Sequence, residues 1–203
     1  MTDKKEPQWY WERYVAKDGT WRKGKPTYGA APPGEDLAAL RTGLGRDIAD
    51  AHAMWPFYQT VTLHDKITDQ LSAEHHTLAL YGLHQQSQHE KPMHDPRLRS
   101  TGTALRVLRD SSKTSAEAVD RRFAVLVSST SVNALVIHLR GLITQLRSID
   151  QPLNYTQLLR DIYHWYKPTW RQQVRRNWGS TYFRWSAPRV DEDNETASTP
   201  ATN

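Results

Sequence analysis

Cysteine is absent from this chain of 203 residues, which excludes a disulfide framework and a zinc site built on thiolates. The sequence also lacks a long apolar run, and its N-terminus, Met-Thr-Asp-Lys-Lys-Glu-Pro, is polar from the start. We therefore expect neither a transmembrane helix nor a signal peptide. The hydrophobic fraction of 37% is low but sufficient for one core of about 150 residues. These features predict a soluble, cytoplasmic protein with one domain and short extensions.

Acidic residues are scarce in one half of the chain. Residues 97–190 hold 16 Lys/Arg and 5 Asp/Glu, a net charge of +11. Residues 1–96 carry a net charge of −2, and residues 191–203 carry −4. A basic half of this kind favours a polyanionic partner. Nucleic acid is favoured over a membrane surface because the basic segments also carry ordinary core stripes.

Catalytic motifs are missing as well: there is no His-Glu-x-x-His, no phosphate-binding glycine loop and no Gly-x-Ser-x-Gly. The nine histidines raise the alternative of a metal site. Its candidate ligands are His75, His76, His84, His89, His94 and Asp95. Adjacent histidines diverge by about 100° on a helix, and thiolate partners are absent. We expect no enzymatic activity, no cofactor and no metal.

The spacing of apolar residues predicts an all-α fold, a compact helical bundle with short connections. The clearest helix spans residues 131–148, with one apolar stripe from Val132 to Leu146. Other helices are predicted over residues 35–44, 72–88, 103–110, 115–127, 155–166 and 168–178, with an aromatic turn or short helix at 55–58. The predicted helix starts are marked by Ser72, Thr114, Asn154 and Pro168.

The two ends of the chain differ in composition from this helical domain of residues 35–185, which divides into an N-terminal part (35–100) and a basic C-terminal bundle (101–185). Residues 1–34 mix Trp and Tyr with basic residues and Gly/Pro, and predict a flexible arm. An arm that becomes ordered on a partner is the alternative. Residues 186–203 are acidic and rich in Ser/Thr, and predict a disordered tail.

Arginines and aromatics alternate in residues 155–185, which hold nine aromatics, six Lys/Arg and one acid, Asp161. Arginine forks bind phosphate, and aromatic faces stack on unpaired bases. The alternative is that the rings are core and the arginines are solvated. Helical spacing favours a core position for Tyr155, Ile162, Tyr166, Trp170, Val174 and Trp178. We expect Asp161 to pair with a neighbouring arginine.

The candidate nucleic-acid-binding residues are basic side chains that the helical spacing places beside or away from the apolar stripes. They are Arg121, Arg122, Arg140, Arg147, Arg160, Lys167, Arg171, Arg175 and Arg176. Each alone is typical of a solvated surface charge. The hypothesis depends on the collective lack of nearby acids.

Short motifs follow one another in a specific order. They are Leu-Ala-Ala-Leu-Arg at 37–41, Trp-Pro-Phe-Tyr at 55–58, Asp-Arg-Arg-Phe at 120–123, Leu-Arg-Gly-Leu-Ile at 139–143 and Leu-Leu-Arg-Asp-Ile-Tyr-His-Trp-Tyr at 158–166. Together they resemble the small subunit of the type I-E CRISPR Cascade surveillance complex, the CasB-like family, over about residues 37–183. Arg41 is followed by Thr42, whereas the family often has two adjacent basic residues there.

The resemblance implies a non-catalytic, all-helical subunit of a crRNA-guided complex in antiviral defence. Its implied partners are the repeated backbone subunits, the large subunit, a second copy of itself, crRNA and either strand of the target DNA, whose R-loop it stabilises. By the same resemblance, Arg121 and Arg122 match the family's arginine pair, and Arg140 and Arg160 match further basic positions. In such a complex base pairing to the guide reads the sequence, so backbone contacts suffice.

Two other function classes stay open. The first is a free-standing helical DNA-binding regulator, which requires a recognition helix with polar side chains. Residues 168–178 are its candidate, with Arg171, Gln172, Gln173, Arg175, Arg176 and Asn177. The second is a nuclease that uses a histidine-bound metal.

Overall fold

The structure is a computed structural model that describes residues 9–23, 31–60 and 66–184. Within these ranges the chain forms seven α-helices and three short 3-10 helices. The α-helices are α1 (Gly34–Arg41), α2 (Asp69–Gln85), α3 (Thr101–Arg109), α4 (Ala116–Ser128), α5 (Val132–Ser148), α6 (Tyr155–Trp165) and α7 (Pro168–Tyr182). The 3-10 helices are Tyr10–Arg13, Ile48–Asp50 and His52–Phe57. Extended pairing in these ranges is limited to two isolated bridges, so the predicted all-α class is confirmed.

Polar side chains begin several of these helices by accepting hydrogen bonds from backbone N–H groups that have no partner within the helix. Ser131 accepts from the Ala134 N–H at 3.2 Å. Asn154 accepts from the Gln157 N–H at 3.0 Å. Both α5 and α6 therefore begin where the sequence predicts. Among the described residues, no helix is both long enough and apolar enough to cross a membrane.

Two predicted helix starts are wrong. The helix expected from Ser72 begins earlier, because Thr68 accepts the hydrogen bond from the Leu71 N–H at 3.2 Å. Thr114 does not begin α4. Its hydroxyl donates to the Leu108 carbonyl at 2.6 Å, and Ser115 is the capping residue. In both cases another hydroxyl close in sequence, that of Thr68 or Ser115, forms the capping hydrogen bond.

Two central helices organise the core. The α2 helix packs against α1, α5 and α6, and the α3 helix packs against α4, α5 and α7. Gly102 allows α3 and α7 to approach closely, because a Cβ at this position would collide with the Trp178 carbonyl oxygen. Leu139 on α5 and Trp165 on α6 are completely buried in the shared core.

The first described segment belongs to this core. Trp11 is fully buried, and its ring lies 5.8 Å from the ring of Tyr81 on α2 and 5.7 Å from that of Tyr155 on α6. Its indole N–H donates a hydrogen bond to the Thr156 hydroxyl at 2.9 Å. Residues 9–15 are therefore an integral part of the fold, and the expectation of a flexible arm needs correction there.

Some parts of the two predicted extensions lie outside the described residues. These parts are residues 1–8 and 24–30 of the arm and residues 185–203, which include the whole predicted tail.

Two side chains in the aromatic and basic segment differ from expectation. Helical spacing predicts that Trp170 continues the buried stripe of Val174 and Trp178, but 54% of its surface is exposed. It lies in the first turn of α7, before that helix reaches the core at Val174. Asp161 is buried and accepts hydrogen bonds from Trp178 at 2.7 Å and Gln157 at 2.9 Å. The expected arginine partner is therefore wrong.

Candidate nucleic-acid interface

The nine candidate basic residues divide into two sets according to what their side chains contact. Five donate hydrogen bonds to other parts of the protein: Arg147, Lys167, Arg171, Arg175 and Arg176. The other four form no hydrogen bond or ion pair with any described residue, and all four are exposed. We call this second set the free arginines: Arg121, Arg122, Arg140 and Arg160.

Arg147 connects two helices. From the last turn of α5 its Nη1 donates to the Leu83 carbonyl and to the Gln86 side chain of the α2 end, both at 3.2 Å. Carbonyl groups in the last turn of a helix lack hydrogen-bond donors within that helix, and the Arg147 guanidinium supplies a donor to one of them. Arg147 and Arg140, which the sequence places on one flank of α5, therefore have different roles.

Arg171 and Arg175 hold α7 against the turn between α4 and α5. Arg171 donates from Nε to the Trp165 carbonyl at 3.0 Å and from Nη1 to the Thr130 carbonyl at 2.5 Å. Arg175 donates to the Ser129 carbonyl at 2.7 Å, and its guanidinium carbon lies 5.4 Å from the centre of the Trp165 ring. Both guanidinium groups are thus held against backbone carbonyls, and both residues are only half-exposed, so they are less accessible to phosphate than the exposed arginines.

Lys167 and Arg176 make weaker contacts. Lys167 forms an ion pair with Asp69 at 3.2 Å, and both side chains are exposed. Arg176 donates to Gln173 of its own helix at 2.8 Å. Exposed pairs of this kind contribute about 0–1 kcal/mol. Both cations can exchange these contacts for another anion at little cost.

Two of the free arginines line a groove between α4 and α5. The groove has a volume of about 470 Å³. Its lining consists of Ala118, Arg121, Arg122, Val125, Ile137, His138, Gly141 and Leu142. Arg140 directly precedes Gly141 on α5. The groove thus combines two arginines of α4 with apolar side chains from both helices.

Acidic groups near this groove are already engaged. Asp120 on α4 accepts from Arg109 at 2.8 Å and from the Tyr182 hydroxyl at 2.6 Å. Glu117 accepts from the Ser115 hydroxyl at 2.6 Å. That hydrogen bond is the main cause of the lowered pKa of Glu117, and the charge of Arg121 lowers it further. The α4 acids therefore leave Arg122 and most of the charge of Arg121 available.

The remaining free arginine lies elsewhere. Arg160 is exposed on α6, one helical turn before His164. It is not part of the groove lining. Of the free arginines, Arg121 and Arg122 therefore share the groove, Arg140 lies on the adjoining helix α5, and Arg160 lies outside the groove.

Sequence reasoning missed two apolar members of the groove. Val125 and Ile137 are exposed, and 68% of the Ile137 surface is open to solvent. Both lie off the buried stripes of their helices, and that position was visible in the sequence. The pairing of α4 with α5, which brings them together, was not.

The histidines of the metal alternative are mostly internal. His75 hydrogen-bonds to the Tyr58 hydroxyl at 2.8 Å and the Arg46 carbonyl at 2.9 Å. His84 hydrogen-bonds to the Tyr155 hydroxyl at 2.9 Å. In the part of the chain that the structure describes, no group of three or more His, Asp and Glu side chains is arranged to hold a metal ion. The histidine-metal nuclease hypothesis has no geometric support there.

Known proteins resemble this chain over its helical part. The family model of CRISPR-associated protein Cse2 matches residues 36–183. The crystal structure of CasB from Thermobifida fusca is similar over 73% of this chain and 84% of its own, with 31% identity and a TM-score of 0.59. A Cse2-family CRISPR-associated protein from Thermus thermophilus shares the fold over 74% of this chain and 86% of its own, with 20% identity and a TM-score of 0.58. No curated protein matches the chain.

Proposed function

The chain belongs to the CRISPR-associated Cse2 family, the small subunits of the type I-E Cascade complex, and on this basis we propose that its free arginines bind the backbone of unwound target DNA. By holding the separated strands, the subunit stabilises the R-loop. It does so without catalysis, as one part of an assembly with crRNA, the repeated backbone subunits, the large subunit and a second copy of itself.

The observation that carries this proposal is the state of the free arginines. Four guanidinium groups are exposed and form no hydrogen bond or ion pair with the described residues. Three of them lie on the adjacent helices α4 and α5, and the nearby acid Asp120 is already paired. Cations whose neighbouring acids are already hydrogen-bonded to other groups can attract phosphates, and releasing the counterions of DNA favours their binding.

The arrangement suits backbone contacts better than base reading. Base readout requires several polar side chains aimed together from one element. On α7, the candidate recognition helix of a free-standing regulator, Arg171 and Arg175 donate instead to backbone carbonyls of the same protein. The regulator hypothesis therefore loses its main candidate residues.

The test is target dissociation from the assembled complex with Arg121, Arg122, Arg140 and Arg160 all changed to alanine. Each single-strand phosphate contact contributes about −0.7 to the slope of log affinity against log salt. We expect the variant to assemble normally, to release target DNA faster, and to have a salt slope smaller in magnitude by about 3 if all four contacts are lost.

A matched control removes the same charge elsewhere. Lys17, Lys23, Arg46 and Lys66 are exposed and lie outside the basic half of the chain. Changing all four to alanine should leave dissociation and its salt slope closer to those of the wild type. Wild-type dissociation by the free-arginine variant at two salt concentrations contradicts the proposal, and so does an equal effect of the control.

A further inference from the structure

An exposed stack of rings lies at the corner where α6 meets α7. The Trp170 ring lies against the His164 ring, with centroids 4.9 Å apart and planes 21° apart. Tyr163 adds a third ring, 5.8 Å from His164. Trp170 is 54% exposed, and among the described residues His164 is the only ring that stacks on its indole. The indole N–H donates to no described residue.

Positive charge surrounds this stack. Arg160 and His164 are four residues apart on α6, which puts them on the same helix face. Arg160 is one of the free arginines, and Lys167 lies in the connection to α7. Two acids lie close to these residues, and both already have partners. Asp161, next to Arg160 in sequence, is buried and accepts two hydrogen bonds, and Asp69 forms an ion pair with Lys167.

The exposed residues near Trp170 in sequence are mostly polar, and Pro168 is the apolar exception. Lys167, Thr169, Gln172 and Gln173 are all exposed. The centre of a protein–protein interface instead gathers adjoining apolar side chains around such an anchor. An exposed aromatic ring among polar and cationic groups is typical of proteins that bind single-stranded nucleic acid, since any base can stack on such a ring.

We propose that Trp170, supported by His164, is a stacking platform for an unpaired base of the DNA, and that Arg160 binds an adjoining phosphate. This inference rests on the proposed function, because only a subunit beside unwound DNA meets unpaired bases. It adds a contact of a different kind: the free arginines hold phosphates, and Trp170 holds the base itself. Contacts to a base face tolerate every sequence, as a guide-directed complex requires.

The chain contains a matched control for this platform. Trp55 is exposed to almost the same extent, 52%, and its ring also lies beside a histidine, His52, at 4.8 Å. That pair is tilted by 58°, and the Trp55 indole N–H donates to the Ile48 carbonyl at 3.0 Å. Asp47 and Asp50 stand on the same segment. A general effect of removing an exposed tryptophan would appear equally at both positions.

The experiment compares the affinity of the full-length protein for an oligothymidine strand with that for an abasic strand of equal length. Stacking on one tryptophan predicts that the wild type favours the base-bearing strand by about 5- to 150-fold. Trp170→Ala should abolish this preference and leave affinity for the abasic strand unchanged. Trp170→Phe should retain part of the preference, and Trp55→Ala should retain all of it.

Each failure has its own signature. Salt-dependent binding with equal affinity for the two strands supports the backbone contacts and overturns the platform. Wild-type protein that binds neither strand overturns both. If Trp170→Ala keeps the strand preference but no longer enters the complex, Trp170 contacts a protein subunit, and the platform is again overturned.

Discussion

The indole N–H of Trp178 donates a hydrogen bond of 2.7 Å to the carboxylate of Asp161, inside the core between α6 and α7. Gln157 donates a second bond at 2.9 Å. Arg160 is next in sequence, but neighbours on a helix diverge by about 100°, so its guanidinium faces solvent. Burial raises the pKa of Asp161 to about 6, although both donors and the charge of Arg160 lower it.

Asp161→Asn should change the pH dependence of stability. The raised pKa means that the folded state binds the proton more tightly than the unfolded chain, whose value is near 3.8. Stability from this group is therefore present at low pH and is lost as pH rises from about 4 through 6. Relative to the variant, the wild type should lose about 2 kcal/mol between pH 4.5 and 7. Urea unfolding measures this, and parallel curves for the two proteins contradict it.

Buried histidines should make the protein sensitive to acid. Burial lowers the pKa of His84 to about 3 and that of His94 to about 4. His94 accepts a hydrogen bond from the Tyr155 N–H at 3.1 Å. The unfolded chain takes up protons first, below about pH 6.5, so each histidine should cost about 2 kcal/mol at pH 5.

The measurement is unfolding free energy at about pH 7 and pH 5. Between pH 7 and pH 5 the two histidines lower the free energy of unfolding by more than Asp161 raises it, since Asp161 contributes only about 1.4 kcal/mol over this range. His84→Asn should reduce the loss by about 2 kcal/mol, whereas His89→Asn at an exposed position should not. An equal response of the two variants to acid is incompatible with a buried neutral His84.

The periodicity of the sequence predicts which face of a helix a side chain occupies better than it predicts which residues that side chain contacts. The α5 stripe and the outward direction of Arg140 follow from helical spacing. The contact of Arg147 with the Leu83 carbonyl, 64 residues away, depends on how α5 lies against α2. No local pattern contains that information.

The same limit explains the errors at the two ends of the fold. Spacing correctly puts Trp170 in line with Val174, but only the tertiary structure shows that α7 reaches the core after Trp170. The Trp11 segment has no helical period, so its burial could not be inferred from spacing. Its aromatic content was the available signal, since apolar side chains of this size gain most from burial.

Leu139→Ala and Arg140→Ala should differ sharply in stability. Leu139 is 1% exposed in the centre of the α5 stripe, so truncation should cost about 2–5 kcal/mol. Arg140 is exposed and free, and its truncation should leave the free energy of unfolding nearly unchanged. Chemical denaturation of the two single variants is the measurement. Equal losses would mean that α5 presents a different face to the core.

Arg147→Ala should destabilise the fold, although Arg140→Ala on the same helix should not. Truncation leaves the Leu83 carbonyl and the Gln86 side chain without their hydrogen bonds from the guanidinium. An unsatisfied polar group costs about 1–3 kcal/mol when buried, and these sites are partly buried, so we expect about 1 kcal/mol. Thermal unfolding compares the variants, and an unchanged midpoint for Arg147→Ala would mean that its contacts contribute nothing to stability.

Trp11→Ala tests whether the segment before α1 is part of the fold. Trp11 is fully buried between the Tyr81 and Tyr155 rings and donates to Thr156. Removing a buried indole should cost about 3–5 kcal/mol, which is a large fraction of the roughly 5–15 kcal/mol typical of a domain. Thr156→Val keeps the packing and removes the hydroxyl, which accepts from Trp11 and donates to Glu12 at 2.7 Å, so it should cost about 1–2 kcal/mol.

Trp55→Ala is the control for this change, because it removes the same side chain from a position that is 52% exposed. Unfolding in urea gives both the midpoint and the slope, and the slope reports how much surface becomes exposed. For Trp11→Ala we expect a lower midpoint at an unchanged slope, because the whole core still unfolds in one step and exposes about the same surface. If Trp11→Ala were as stable as the wild type, residues 9–15 would not pack on α2 and α6 in solution. The helices α1 to α7 would then fold without a contribution from residues 9–15.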